Sequence, residues 1–396
     1  MENSTNTYDK NKGFYNISFL TSSQECLIIK NLADMDSKGY TNISFDDEIR
    51  KKILWRYNKD DDLFYLKNKY LYIFTEGAVN YLEAFKSMPR NTSFELGIIE
   101  MKLLTNILEN NFIPNRRIAL ISLGSATSRK EIEVLISSKL IESENLNITY
   151  FPIDVSPFLL QLGILNSTKV KNKNFKISSI IADFWDISEE KNLPFHNNEE
   201  FNERIFTFFG GTIGNYKEYE ILTKINDLMR EGDILIIGFE TWNGDDIDKE
   251  KDRIYNEYNT LGNVQFLLQP LYHIPRYKGY FDKFSKYFNV DKDVPPILFT
   301  NTGEEYNNLS VPRTISYCPY IVFPKNERIA IHEKEDKIIN RIILAQSSKY
   351  YIDVFKSWII TKFPNFSIIN DSLVSTNCYV LALTKQATKK IIKKPI

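Results

Sequence analysis

Residues 208–216 read Phe-Phe-Gly-Gly-Thr-Ile-Gly-Asn-Tyr. Gly210, Gly211 and Gly214 directly follow an apolar run and mark a backbone most side chains would not tolerate. Asn215 offers a donor and an acceptor together, which suits an α-amino or carboxylate group. A tight strand-to-helix turn with Asn215 as its N-cap accounts for the same residues equally well. A second small-residue turn, Ser-Leu-Gly-Ser-Ala-Thr, occupies 122–127. Small residues let a ligand approach the backbone, and a helix N-terminus offers unpaired N–H groups. Ala126 stands where a second glycine would be, no third follows, and a G-K-[ST] ending is missing. A cofactor without a polyphosphate therefore fits better than a nucleoside triphosphate. Asp154 and Asp183 close two successive apolar runs. An acid ending the second strand can accept from both hydroxyls of a ribose. Asp183 followed by Phe184 can hold an adenine amino group while the ring packs on the base. Singly, each acid also fits an N-cap or a solvated loop; in register on successive strands they favour a site.

An alternation of strands and helices must position these residues. The spacing predicts helices over 95–110, 129–140 and 217–229, and one opened by Ser156 and Pro157 as N-cap and N1. Between them it predicts strands over 118–123, 148–155, 175–184, 204–209 and 233–239. Short connections make this an α/β fold, a parallel sheet with helices on both faces. Ligands bind such sheets at the carboxyl ends of the strands. Residues 242–252 read as a solvated acidic linker, and 253–340 as a second module packed over the sheet. Period-two patterns at 366–373 and 378–383 predict a closing hairpin. The aromatic-rich front, from Trp55 to Phe74, reads as a subdomain core, with pocket walls as the alternative.

A chain of 396 residues exceeds one ordinary core and points to two domains. With 43% hydrophobic and 26% charged residues, general disorder is excluded. Fifty basic against fifty-one acidic residues argue against a nucleic-acid partner and leave small molecules open. Cys26, Cys318 and Cys378 lie too far apart for a disulfide framework or a zinc site, so no metal is expected. His196, His273 and His332 are isolated and read as structural. No apolar run approaches the ~18 residues that span a bilayer. Residues 1–12 lack a signal peptide's apolar core, so a cytoplasmic location is expected. Monomer and homodimer both remain open.

The glycine-asparagine segment FFGGTIGNY resembles the FLGSTIGN signature of the histidine-specific, S-adenosylmethionine-dependent N-methyltransferases. Their best-known members trimethylate the α-amino group of histidine. Further segments resemble that family in order. LGSATSRK is similar to its cofactor loop, FPIDVS to its acid segment, and ADF to its GDF. MREGDILIIGFE is similar to its PGD-LLLG-D strand, and Tyr255-Asn256 to its YDDA helix. Over roughly residues 70–385, the resemblance implies a Rossmann-like class I methyltransferase sheet, mostly parallel with an antiparallel last strand. It also implies a second, α+β substrate-binding module. The cofactor domain would span 97–241 and 343–396, the substrate module 14–96 and 242–342, with disordered tails over 1–13 and 386–396. S-adenosylmethionine would be held by Gly124, Ser125, Lys130, Asp154, Asp183, Phe184, Gly210 and Thr212. Asn215 and Tyr255 would hold the substrate's amine as the catalytic pair, with Ser347, Tyr72 and Phe74 around its side chain.

The departures are specific. The family's strand-end glutamate is Ser122 here, and the acid two residues before its pocket serine is Ala345. Its tyrosine-bearing LPEYYPTRTE segment is replaced by a shorter stretch over 88–95 without tyrosine. An imidazole N–H left without that acceptor loses a hydrogen bond, about 1–3 kcal/mol. The expected reaction is therefore N-methylation of a small amino acid or amino-acid-derived metabolite other than histidine, in secondary metabolism, with no dedicated general base. The alternatives are a non-catalytic S-adenosylmethionine-binding protein of this fold and a dinucleotide-dependent oxidoreductase. Ala126 and the missing third glycine disfavour the latter.

Overall fold

A computed structural model describes residues 8–9, 14–15, 55–58, 63–73, 75–87, 92–110, 115–137, 147–183, 187, 193–196, 200–242, 246–272, 297–300, 311–322, 329–330, 338–339, 341–375 and 377–387. The front contains β1 (Trp55–Asn58), β2 (Leu63–Leu66), α1 (Lys69–Tyr72), α2 (Thr75–Ser87) and α3 (Thr92–Asn110). Then come β3 (Arg117–Leu123), α4 (Arg129–Ser137), β4 (Asn147–Asp154), α5 (Pro157–Ser167), β5 (Phe175–Ile177) and β6 (Ile180–Ile181). β7 (Glu203–Phe208), a 3-10 turn (Thr212–Asn215), α6 (Glu218–Leu228) and β8 (Ile234–Glu240) complete the alternation. The later part holds α7 (Ile247–Tyr258), α8 (Leu261–Tyr272), β9 (Ile297–Thr300), β10 (Thr314–Tyr317), β11 (Tyr320–Val322), β12 (Arg341–Ile343) and β13 (Ser347–Tyr350). α9 (Ile352–Lys362), β14 (Phe366–Ser375) and β15 (Cys378–Lys385) follow.

The main sheet runs β14-β15-β8-β7-β3-β4-β5, with β6 also on β4. The run from β8 to β5 is parallel; β15 is antiparallel to both of its neighbours. This is the mostly parallel sheet with an antiparallel last strand that the resemblance implies. Alternate residues of β3 serve opposite cores. Ala119, Ile121 and Leu123 pack with α6 and α9 through Ile221, Leu222, Phe355 and Ile359. Ile118 and Leu120 pack with α3, α4 and α5 through Leu103, Leu135 and Leu160. Helices on both faces explain why the central strands are apolar throughout rather than alternating. α5 starts as its sequence dictates: the Ser156 side chain accepts from Leu159 N and Pro157 follows.

The second module has a sheet β9-β10-β13 and another of order β11-β12-β2-β1, which joins the front of the chain to its later part. β12 and β13 both pair within this module, while Tyr350 at the end of β13 also bridges Thr241 beyond β8, and from α9 onward the chain packs on the main sheet, which β14 joins at Phe366. The predicted strand over 175–184 is broken into β5 and β6 and ends before Asp183. The expected acidic linker is half wrong. Asp246 caps α7 by accepting from Lys249 N, so 247–252 is helix. Trp242, 1% exposed, is anchored by donating from Nε1 to Arg313 O at 2.8 Å. The expected tails fall largely outside the described residues.

Beneath β7 and β8, Arg204 and Asp233 form an ion pair at 3% and 2% exposure. Arg204 also donates to the carbonyls of Phe195 and Leu228, each at 3.2 Å, and Asp233 accepts from Arg230 N at 2.7 Å. Removing one partner leaves a buried charge uncompensated. Asp233→Ala is expected to lower the unfolding free energy by about 3–5 kcal/mol, read from urea melts against the parent chain.

Candidate active site

The carboxyl ends of β3, β7 and β8 open onto a cavity of about 260 Å³. A smaller recess of about 70 Å³ shares Asn68, Tyr72, Tyr81, Ala126 and Asn215 with it. The recess lies over β4 and is lined by Gly124, Asp154, Val155, Asp183 and Thr212. The larger chamber reaches across the 3-10 turn to Glu240, Tyr258, Phe266 and Ser347. Asn215 sits where the two meet.

The first loop is pinned to β4. Gly124 N and Ser125 N both donate to Ile153 O, at 2.9 and 3.0 Å. Ala126 takes a positive φ of 45° and donates its N–H to Asp154 Oδ2 at 2.8 Å. The position does need the left-handed backbone of a glycine, and the strand-end acid holds alanine in it. Asp154 Oδ1 accepts from Ser156 N at 2.9 Å. Burial pushes this carboxyl up to about 6, against the lowering effect of those backbone donors. Ser125 Oγ is buried beside the chamber with no hydrogen-bond partner among the described residues.

Gly210 and Gly211 have left-handed φ angles of 74° and 71°. Gly210 N donates to Glu100 Oε1 at 2.6 Å, and Lys130 Nζ pairs with Glu100 Oε2. Thr212 turns its hydroxyl back on the loop, donating to Phe209 O at 2.6 Å. A Cβ on Gly214 would lie 2.7 Å from Ser348 O and 2.9 Å from Ser348 N, so only glycine lets the turn press against β13. Asn215 O accepts from Asn68 Nδ2 at 2.6 Å, while its side-chain amide bonds to no described residue.

Across the chamber lies a buried polar group. Lys349, 1% exposed, donates to Glu240 Oε2, Tyr258 OH and Ser347 Oγ, each at 2.7 Å. Burial pulls this ammonium down, but Glu240 more than offsets it, leaving Lys349 firmly protonated. Burial and the Glu240 charge raise Tyr258 to about 12. The opposite wall is aromatic: Tyr72, Tyr81 and Phe266, with ring centroids 5.3–5.8 Å apart. Tyr72 settles one early alternative, since this front-end tyrosine is a cavity wall, whereas its neighbour Tyr70 is core at 1% exposure.

The structure brings together Gly124, Ser125, Lys130, Asp154, Asp183, Gly210, Thr212, Asn215, Ser347 and Tyr72 around these two spaces. Tyr255 is not among them. It packs on the cluster of Trp242, Ile254, Ile315 and Tyr317, and Tyr258, one turn on, lines the chamber instead. Counting three residues along the helix and asking which tyrosine reaches its C-terminal end would have found it. Phe74 and Phe184 lie outside the described residues. Sequence reasoning also missed Glu100, Glu131, Glu240 and Lys349. Two had a signal: Glu240 closes the strand predicted over 233–239, and Lys349 has period-two spacing from Ser347 on a strand. Among the described residues no group of three His, Cys, Asp or Glu side chains is placed to hold a metal.

Because backbone rather than a flexible side chain opposes it, Gly214→Ala is expected to cost about 1–3 kcal/mol in a urea melt. The same substitution should displace β13 and break the hydrogen bond between Tyr258 and Ser347, which a crystal structure of the variant would show.

A sequence profile described as "Histidine-specific methyltransferase, SAM-dependent" matches residues 65–289. No curated protein sequence matches the chain. Among solved structures it is similar to the CurJ carbon methyltransferase, at 11% identity and a TM-score of 0.38 over 74% of this chain. It spans only 54% of that one. Magnesium protoporphyrin IX methyltransferase from Synechocystis, solved with bound SAH, shows 9% identity and a TM-score of 0.35 over 78% and 94% of the two chains. The PH0226 protein from Pyrococcus horikoshii shows 10% and 0.36 over 77% and 98%. Likenesses this distant carry no argument about this chain, whose fold rests on its own strand order.

Proposed function

This chain belongs to the histidine-specific, S-adenosylmethionine-dependent methyltransferase family, and from that premise we propose that it methylates the amine of a small amino acid or amino-acid-derived metabolite other than histidine. The observation that carries the reading is the unpartnered Asn215 amide at the junction of an acid-lined recess and an aromatic-walled chamber.

The residues present fit the cofactor. Ser125 Oγ is a buried polar atom in need of a partner, and such atoms in native proteins usually have one. Asp154 would take the ribose hydroxyls and Asp183 the adenine edge, with Gly124, Gly210 and Thr212 shaping the path and Lys130 at the carboxylate end. S-adenosylmethionine, when bound, supplies an activated methyl group on sulfur. The chain's part is positioning: reacting atoms held ~3–3.5 Å apart, in line, with water kept out. Asn215 orients the amine and Tyr258, rather than Tyr255, faces it across the chamber. Glu240 Oε1 is an acceptor on the same wall for an amine N–H; the amine reacts in its neutral form, and the methylated product leaves as an ammonium that loses its proton in bulk water.

Two features set the substrate apart from histidine. Ala345 lines the chamber with only a methyl group where an imidazole would need an acid. Ser347 is already engaged by Lys349 and Tyr258. The wall of Tyr72, Tyr81 and Phe266 suits an aromatic or apolar side chain.

Incubating the pure chain with S-adenosylmethionine and a pool of amino acids and amines, followed by mass spectrometry, should show methyl gain on an amine other than histidine. Rapid conversion of histidine would overturn the substrate reading; tight S-adenosylhomocysteine binding without turnover of any amine would point to the non-catalytic alternative. Asn215→Ala should lower kcat/KM by about 10–100-fold through lost orientation. Asp154 must be ionised to accept from both ribose hydroxyls, and its carboxyl titrates at about 6. S-adenosylhomocysteine affinity should therefore be flat above that pH and fall by up to about tenfold per pH unit below it. Calorimetry across pH 5–8 checks this.

A further inference from the structure

Glu131, in the first turn of α4, is 3% exposed and borders the chamber. Its Oε1 accepts from Ser122 Oγ at 2.7 Å and from Thr207 Oγ1 at 2.9 Å. Its Oε2 has no partner among the described residues. The two neighbouring cations are committed elsewhere, Lys130 to Glu100 and Arg129 to Glu133. Of the two buried carboxylates beside Lys130 in the chain's fold, Glu100 and Glu131, only Glu100 is paired with an ammonium. A buried carboxylate without a cation is costly, and a pocket so built is completed by a cationic ligand.

Position decides which cation. Ser122 ends β3 and Thr207 lies on β7, the adjacent strands between which the strand order reverses. The recess of Asp154 and Asp183 lies on the other side of β3. A ligand with its nucleoside in that recess, extended over the loop of residues 124–128, brings its far end to Glu131, Lys130 and Gly210. We infer that Glu131 holds the α-ammonium of the cofactor's amino acid end, with Ser122 and Thr207 aiming its free oxygen. The acid missing from the end of β3 is thereby resupplied from the helix that follows. Lys130 would take the neighbouring carboxylate. This inference rests on the cofactor reading given above.

The test is calorimetry on the full chain with two probes. S-adenosylhomocysteine carries the ammonium; 5′-methylthioadenosine keeps the nucleoside and lacks it. Glu131→Gln should weaken S-adenosylhomocysteine 10–100-fold and leave 5′-methylthioadenosine within about twofold. Unchanged S-adenosylhomocysteine affinity, or equal loss for both probes, would overturn the assignment, the second by showing a merely structural role. If Glu131→Gln fails to fold, Ser122→Ala carries the test, expected to weaken only S-adenosylhomocysteine, by a smaller factor; an equal effect on both probes overturns it. A parent chain that binds neither probe would instead remove the cofactor reading, and this inference with it.

Discussion

The Glu100 carboxylate is the joint on which the carboxyl edge of the sheet depends. α3 carries it, Gly210 of the turn after β7 donates to one oxygen, and Lys130 of α4 pairs with the other. A Cβ on Gly238 of β8 would lie 1.9 Å from the first oxygen, so β8 must carry glycine there for the carboxylate to enter. Burial raises this acid and Lys130 lowers it again, so its charge depends on a neighbour that also faces the cavity. One side chain thus fixes the glycine turn from below, and with it the place of Asn215, while setting the Lys130 ammonium at the cavity rim. Removing Lys130 would leave the Glu100 carboxylate buried without a cation, and removing Glu100 would leave the Gly210 N–H without its acceptor, which is why they are best read as a unit.

Much of this was legible because it is local. Strand and helix periods, the Ser156-Pro157 cap and the glycine turn are short-range patterns, and each lies within a few residues of its expected place. Asp154 at the end of β4 was legible for the same reason, whereas Asp183 lies two residues past β6. What stayed hidden depends on contacts between distant segments. Glu100 and Glu131 look like exposed helix acids until the sheet places Gly210 above one and Thr207 beside the other. Tyr255 and Tyr258 differ by three residues on one helix and both touch the cluster of Trp242 and Ile315, and only the folded chamber shows that Tyr258 is the one that lines it. The pairing of β13 with β10, some thirty residues earlier, is another contact between distant segments that no local pattern announces.

The two ends of the site treat charge in opposite ways. Around Lys349 the charges are matched inside the protein, so this wall presents an electrically neutral network with Glu240 Oε1 as the acceptor it offers to the amine. Such a wall discriminates by fit against the facing aromatic rings and by the cost of leaving a substrate's polar group unanswered. Around Glu131 the matching is incomplete, and attraction for a cation is built in. On the proposed reading this separates two tasks: charge secures the part of the complex common to every turnover, and shape selects the part that varies.

Chain order adds a consequence for how the protein is made. β15, residues 378–385, inserts between β14 and β8, and it follows every other strand of that sheet in chain order. Until it arrives, β8 has an open edge, although Leu235, Ile236, Ile237 and Phe239 are fully buried in the finished fold. A nascent chain that has emerged only as far as the second module therefore exposes an apolar strand edge, a template for pairing with other chains. Chain termination just before β15 would remove none of the residues lining the cavity, yet it would produce an aggregation-prone product rather than a slightly weakened enzyme.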